Sequence, residues 1–147
     1  MVDTLNTHKP KAIENHGESL TLTPLEYLDV ANLHHVLRQW VRSDGVVLYR
    51  EIGTIRQEML GSLGRVRSER RYYALRDSKG VAIGVCGFKK PADDMEQYKS
   101  TPETEAFEMV NVFLDDDYRG RVLGRELMEY GFDSSREIGA QEIIWNS

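Results

Sequence analysis

The stretch Ala106-Phe107-Glu108-Met109-Val110-Asn111-Val112-Phe113-Leu114, followed by Asp115-Asp116-Asp117-Tyr118-Arg119-Gly120-Arg121-Val122-Leu123-Gly124-Arg125, decides the fold. The first nine residues predict a strand and the next eleven a sharp basic, glycine-containing turn. A helix is expected from there to about Ile138, and Gln141 to Trp145 reads as a second strand. A turn that opens a helix gathers backbone N–H groups without intrahelical partners at the positive end of the helix dipole. That is a site for an anion, phosphate above all. Arg119, Arg121 and Arg125 add fixed positive charge at the same place. The competing reading is an ordinary strand-to-helix connection whose arginines are solvated.

Working outward, residues 1–18 are polar and lack a periodic apolar pattern, so a disordered tail is expected there, with one domain over residues 19–147. Ser19 to Leu22 alternates as a short strand. Thr23-Pro24-Leu25-Glu26 predicts a helix start, with Thr23 as N-cap, Pro24 at the first helical position and Glu26 completing a capping box. Leu25, Leu28, Ala31, Val36 and Trp40 form its expected apolar stripe, and Ser43-Asp44-Gly45 its stop. A second amphipathic helix is expected over Thr54 to Val66, with Ile55, Met59, Leu63 and Val66 inward. Arg71 to Arg76 and Val81 to Phe88 read as strands joined by the hairpin turn Asp77-Ser78-Lys79-Gly80. Tyr72 and Tyr73 alternate, which predicts one facing the core and the other solvent. Pro91 to Glu105 is an acidic loop, read as solvated in preference to a substrate lip. The order implies an α/β fold with a mixed central sheet flanked by helices. The strands on either side of the last helix should be parallel, since a helical crossover joins them.

Composition narrows the function classes. A chain of 147 residues, 40% hydrophobic and 29% charged, fits one soluble domain. A net charge of −5 argues against non-specific nucleic-acid binding. No apolar run approaches the ~20 residues of a membrane span and no signal peptide is apparent, so a cytoplasmic protein without membrane association is expected. The single cysteine, Cys86, excludes an internal disulfide and, in its apolar run, reads as a buried inert thiol. His34 and His35 are adjacent on a helix and cannot share a face, and no other spacing suits a metal, so none is expected. The Gly-x-Ser-x-Gly nucleophile signature and the P-loop are both absent.

Val112-x-Leu114-x-x-x-Tyr118-Arg119-Gly120-Arg121-x-x-Gly124 resembles the acyl-CoA motif of the GNAT superfamily of N-acyltransferases, Arg/Gln-x-x-Gly-x-Gly/Ala. Arg119 matches its first position and Gly124 its last, while Val122 stands where the motif has its middle glycine. The order of elements from about Ser19 to Trp145 is similar to that family too. The resemblance implies a GNAT-like fold that transfers an acyl group, most simply acetyl, from acetyl-CoA to a primary amine on a small molecule or peptide. It implies that the donor's pyrophosphate lies on the N–H groups of Arg119, Gly120, Arg121, Val122, Gly124 and Arg125. The pantetheine arm would then run along the strand end Val112, Phe113 and Leu114 like an added strand. A backbone N–H near Leu114 is the candidate for polarising the thioester carbonyl. Glu108 is the candidate general base: it lies on the same strand, is flanked by apolar residues, and sits where histone-type members carry a glutamate. Even spacing places it on the same face as Leu114, with Asn111 on the opposite face. Tyr118 is a weaker candidate, with a packing role as its alternative. Members of the family continue past the last strand seen here with another helix and two strands. The expectation is therefore a C-terminally short domain whose exposed edge invites a homodimer. Two rivals stay open: a degenerate GNAT-like module that binds acyl-CoA without turnover, and a nucleotide-binding or structural α/β domain.

Overall fold

A computed structural model describes residues 8–63 and 70–145. Eight strands and four α-helices alternate along these residues. The main sheet has six strands in the order β1 (Lys11–Asn15), β2 (Glu18–Pro24), β5 (Arg70–Arg76), β6 (Ala82–Lys89), β7 (Ala106–Leu114), β8 (Glu142–Ile144). All neighbours are antiparallel except β7 and β8, which are parallel across the helix α4 (Leu123–Glu137). The opposite face carries α1 (Tyr27–Asn32), α2 (His34–Trp40) and α3 (Tyr49–Ser62). The fold is the expected mixed α/β sheet flanked by helices, with β7 at the predicted boundaries.

Two apolar layers hold it. On one face Tyr73, Leu75, Ile83, Phe88 and Met109 pack against Leu123, Leu127 and Tyr130 of α4. On the other, Tyr72, Ala74, Ala82 and Val85 meet Val30, Leu33, Val36, Leu37, Ile52 and Met59. Both faces being covered, Tyr72 and Tyr73 are both buried, contrary to the expectation that one meets solvent. Gly131 lets α4 approach closely, since a Cβ there would lie 2.2 Å from the Phe88 ring. Cys86 is buried in this core, and desolvation pushes its thiol up, as suits an inert side chain.

The N-terminal half departs from expectation. Residues 11–15, read as part of a tail, form β1 and pair along their length with β2. The Tyr130 hydroxyl donates to the Lys9 carbonyl at 2.8 Å, and His8 Nδ1 meets Glu137 Oε2 at 2.9 Å. Residues 1–7 lie outside the described residues. The first helix starts later than predicted. Thr23 and Pro24 end β2, and Glu26 is the N-cap in a reciprocal capping box with Asp29. The chain then breaks at Leu33 into α1 and α2, which rotates the stripe: Leu25, Val30, Leu33, Val36 and Leu37 are buried, whereas Leu28 and Trp40 are exposed. Residues 43–45 do not merely stop a helix. They turn a small hairpin of β3 (Arg42–Ser43) and β4 (Val46–Val47). Helix α3 begins at Tyr49, ahead of the predicted Thr54; Val66 lies outside the described residues. The acidic loop contains a 3-10 helical stretch, Asp93–Tyr98, anchored by Met95 against Ala106 and Ile144.

Candidate active site

Strand β7 is not regular. Gly87 pairs with Val110 but Val85 with Phe113, so two steps on β6 oppose three on β7. The extra residue is a β-bulge, and Asn111 takes a left-handed φ of 54° there. A bulge interrupts the alternation of side chains. Phe107 and Met109 face α4 and so do Val112 and Leu114, whereas Phe113 faces α1–α3. Glu108 therefore lies on the α1–α3 side, opposite the Leu114 side chain, which corrects the expectation of a shared face. Asn111, expected opposite Glu108, instead turns to the same side, and its Nδ2 donates to the Tyr72 hydroxyl at 2.9 Å.

The sheet is open beside the bulge. Among the described residues, parallel pairing of β7 with β8 covers only Ala106, Phe107 and Glu108. Beyond Glu108 the outer edge of β7 borders a cavity of about 510 Å³, lined by residues 108–112, Met128 of α4 and Trp145. Farther along β7, past the residues that line this cavity, backbone groups also point away from β6. Asp115 N–H donates to Ile83 C=O at 2.8 Å, which makes Gly84–Leu114 a non-hydrogen-bonded pair. The N–H and C=O of Leu114 consequently point away from β6, toward the open edge.

Past Leu114 the chain makes a short 3-10 turn, Asp116–Tyr118, and enters α4. Asp115 Oδ1 accepts the Asp117 N–H at 2.9 Å and fixes the turn. The first bond of α4 runs from Glu126 N–H to Val122 C=O, so the N–H groups of Leu123, Gly124 and Arg125 have no partner within the helix. A Cβ at Gly124 would meet nothing within 4 Å, so open space lies beside Gly124 in the first turn of the helix. Val122, at the position of the motif's middle glycine, adopts φ 66° and ψ 4°, a left-handed geometry that suits glycine and strains a β-branched residue. The expected result of Val122→Gly is a gain in stability of about 1 kcal/mol from released strain, less the entropy glycine adds to the unfolded chain. Chemical denaturation measures it, and a loss of stability would show that the valine side chain, though exposed, is held by packing.

The turn is braced from two sides. From α2, Trp40 Nε1 donates to the Leu114 carbonyl, Gln39 Oε1 accepts the Asp116 N–H at 2.7 Å, and His35 Nε2 meets Asp115 Oδ2 at 3.0 Å. Arg119 ion-pairs with Asp116 and stacks 3.8 Å from the centre of the Trp40 ring. From the N-terminal hairpin, Asn15 Nδ2 donates to the Arg121 carbonyl at 3.2 Å. The Tyr118 hydroxyl donates to Glu18 at 2.9 Å, and burial together with that bond pushes it up to about 12. Glu18 is held below the usual carboxylate range, first by the Ser78 N–H and then by Tyr118. Tyr118 is thus a strut of the turn, the packing alternative to its chemical role. Arg121 lies 5.2 Å from the Tyr118 ring centre. Sequence reasoning missed Trp40, Gln39 and His35, because nothing local links them to residues about eighty positions away.

Glu108 lines the cavity and is largely buried. Its Oε1 accepts the Ala92 N–H at 3.0 Å and lies 3.6 Å from Lys89 Nζ. Among the described residues no three His, Cys, Asp or Glu side chains are grouped to hold a metal ion, and no helix is long and apolar enough to cross a membrane.

The same chain matches a known family model. The model for the acetyltransferase (GNAT) family covers residues 32–147. The chain belongs to the GNAT acetyltransferase family. No curated protein sequence matches this acetyltransferase significantly. Among solved structures it is similar to glucosamine-6-phosphate N-acetyltransferase from Arabidopsis thaliana, with 18% identity over 87% of this chain and 82% of that one at a TM-score of 0.58. It is also similar to a GNAT family N-acetyltransferase from Escherichia coli in complex with CoA, with 20% identity over 93% and 63% at a TM-score of 0.61. A third is AAC(6')-Iy in complex with the bisubstrate analogue CoA-S-monomethyl-acetylneamine, with 13% identity over 87% and 79% at 0.65. At these identities the likeness is one of fold.

Proposed function

We propose that this GNAT acetyltransferase moves an acetyl group from acetyl-CoA to a primary amine, with Glu108 as general base. One observation carries the reading. Beside the bulge at Asn111 the edge of β7 lies open past Glu108, and that edge runs into the N–H groups at the start of α4 that have no partner within the helix. A pyrophosphate fits the turn at Gly120–Arg125, where open space over Gly124 and the nearby Arg125 side chain meet it. The arm's amides fit the strand edge at Val112–Leu114, pairing as a strand would. The Leu114 N–H, aimed into the opening, is the candidate donor to the thioester oxygen.

Acyl transfer forms a bond from the amine nitrogen to the acetyl carbon and breaks the carbon–sulfur bond. The amine must lose a proton first, and Glu108 faces the α1–α3 side, from which an acceptor can reach the strand edge. The thiolate leaves toward the open edge and takes up a proton there. Support for turnover over a purely binding module comes from the placement of a carboxylate beside the opening; the left-handed Val122 is what favours the binding module.

Calorimetry with acetyl-CoA, CoA and ATP tests the donor assignment. The first two should bind and ATP should bind much more weakly; equal or absent binding of all three would sink it. Gly124→Leu supplies the matched control. The added side chain meets no protein atom near its Cβ, so the fold should keep its stability while acetyl-CoA affinity falls at least tenfold. Loss of stability without loss of affinity would place the ligand elsewhere.

A further inference from the structure

Trp40 lies on α2, outside the acyl-CoA motif, yet its indole N–H holds the carbonyl of Leu114. That carbonyl points to the open edge of β7, because Leu114 stands at a non-hydrogen-bonded position opposite Gly84. The same atom is therefore the natural acceptor for an amide N–H laid along the strand as an added partner. Arg119 closes the arrangement: its guanidinium stacks on the Trp40 ring and pairs with Asp116, away from the unpartnered N–H groups of α4. We propose that Trp40 gates the donor site, its indole competing with the pantetheine arm for the Leu114 carbonyl. This rests on the donor reading given above.

The gate is separable from the brace. Gln39 and His35 still fasten α2 to Asp116 and Asp115 when the indole lets go, so release of Trp40 need not unseat the turn. Trp40 is also 42% exposed and lies outside the buried core clusters, so its indole can swing toward solvent without opening the core. Donor binding then breaks one hydrogen bond to Leu114 and makes another in its place. Arg119, freed from the stack, turns to the phosphates. Helix α2 thereby registers whether the arm is in place.

The test uses three probes: acetyl-CoA, S-acetylpantetheine, which carries the arm without phosphates, and 3′,5′-ADP, which carries phosphates without the arm. Trp40→Phe keeps a ring beneath Arg119 and removes only the N–H. It should bind acetyl-CoA and S-acetylpantetheine about fivefold more tightly, the worth of one neutral hydrogen bond, and 3′,5′-ADP unchanged. In a Trp145→Phe background Trp40 is the sole tryptophan, and its emission should move to longer wavelength on adding S-acetylpantetheine. Weaker or unchanged binding of the two arm-bearing probes by Trp40→Phe would overturn the gate and leave Trp40 as a strut, and so would an emission that does not move. If the unaltered chain binds neither acetyl-CoA nor 3′,5′-ADP, the donor reading fails and takes the gate with it. If it binds both and only the Trp40→Phe effects are missing, the gate alone fails.

Discussion

Glu108→Gln should lower turnover at neutral pH by about 100- to 10,000-fold while leaving acetyl-CoA affinity nearly unchanged, because it removes a base and little else. The substitution keeps the side chain's length, and the new amide oxygen can still accept the Ala92 N–H that Glu108 now accepts. Only the ion pair with Lys89 is lost, and both partners are partly buried. The donor contacts lie elsewhere, at Leu114 and along the turn into α4, on the far side of the bulge from Glu108. Initial rates across pH, with calorimetry for the donor, separate the cases. A variant with full activity and an unchanged pH profile would make Glu108 structural and hand the deprotonation to solvent or to another group.

Asp29→Ala should destabilise the fold by about 3 kcal/mol, the low end for breaking a buried ion pair. Asp29 is 2% exposed and receives two bonds from Arg76, Nε at 3.0 Å and Nη2 at 2.8 Å. Its Oδ2 also accepts the Glu26 N–H, so the same carboxylate caps α1. The bond to Asp29 is the main reason the Arg76 guanidinium is held above its usual range. Without Asp29 the charge of Arg76 keeps only the exposed Glu26 at 3.2 Å, which moderates the loss. In a domain of this size about 3 kcal/mol lowers the Tm by about 6–12 °C. Thermal unfolding would detect that directly, and a shift of under 2 °C would show that Glu26 replaces Asp29 fully.

The elements that could be read from sequence are those whose apolar pattern is dense. β7 is nearly continuous in apolar residues and falls at its predicted limits, and α4 ends one residue before the expected Ile138. Glu108, Arg119, Arg121 and Gly124 could be singled out because strand, turn and helix follow one another locally. What escaped prediction depends on distance or on backbone angle. β1 offers a single inward apolar residue, Ile13, and exists because β2 completes its hydrogen bonds. Thr23-Pro24 carries a helix-start signal, but Pro24 can end a strand as readily, and the capping box one step later, Glu26 with Asp29, wins the helix. The left-handed Asn111 leaves no pattern in a run that alternates well enough to look regular. Even spacing therefore puts Glu108 and Leu114 on one face, and the bulge sets them on opposite ones.

The bulge gives this enzyme a residue that its core does not require. Strand β7 carries one residue more than its partner between Val110 and Phe113. Removing Asn111 would restore regular alternation and leave Val112 and Leu114 in the α4 layer and Phe113 toward α1–α3, as they are now. The interior therefore supplies no reason for the extra residue. Its consequence falls at the open edge beside it, so a one-residue deletion is the change that parts the site from the fold.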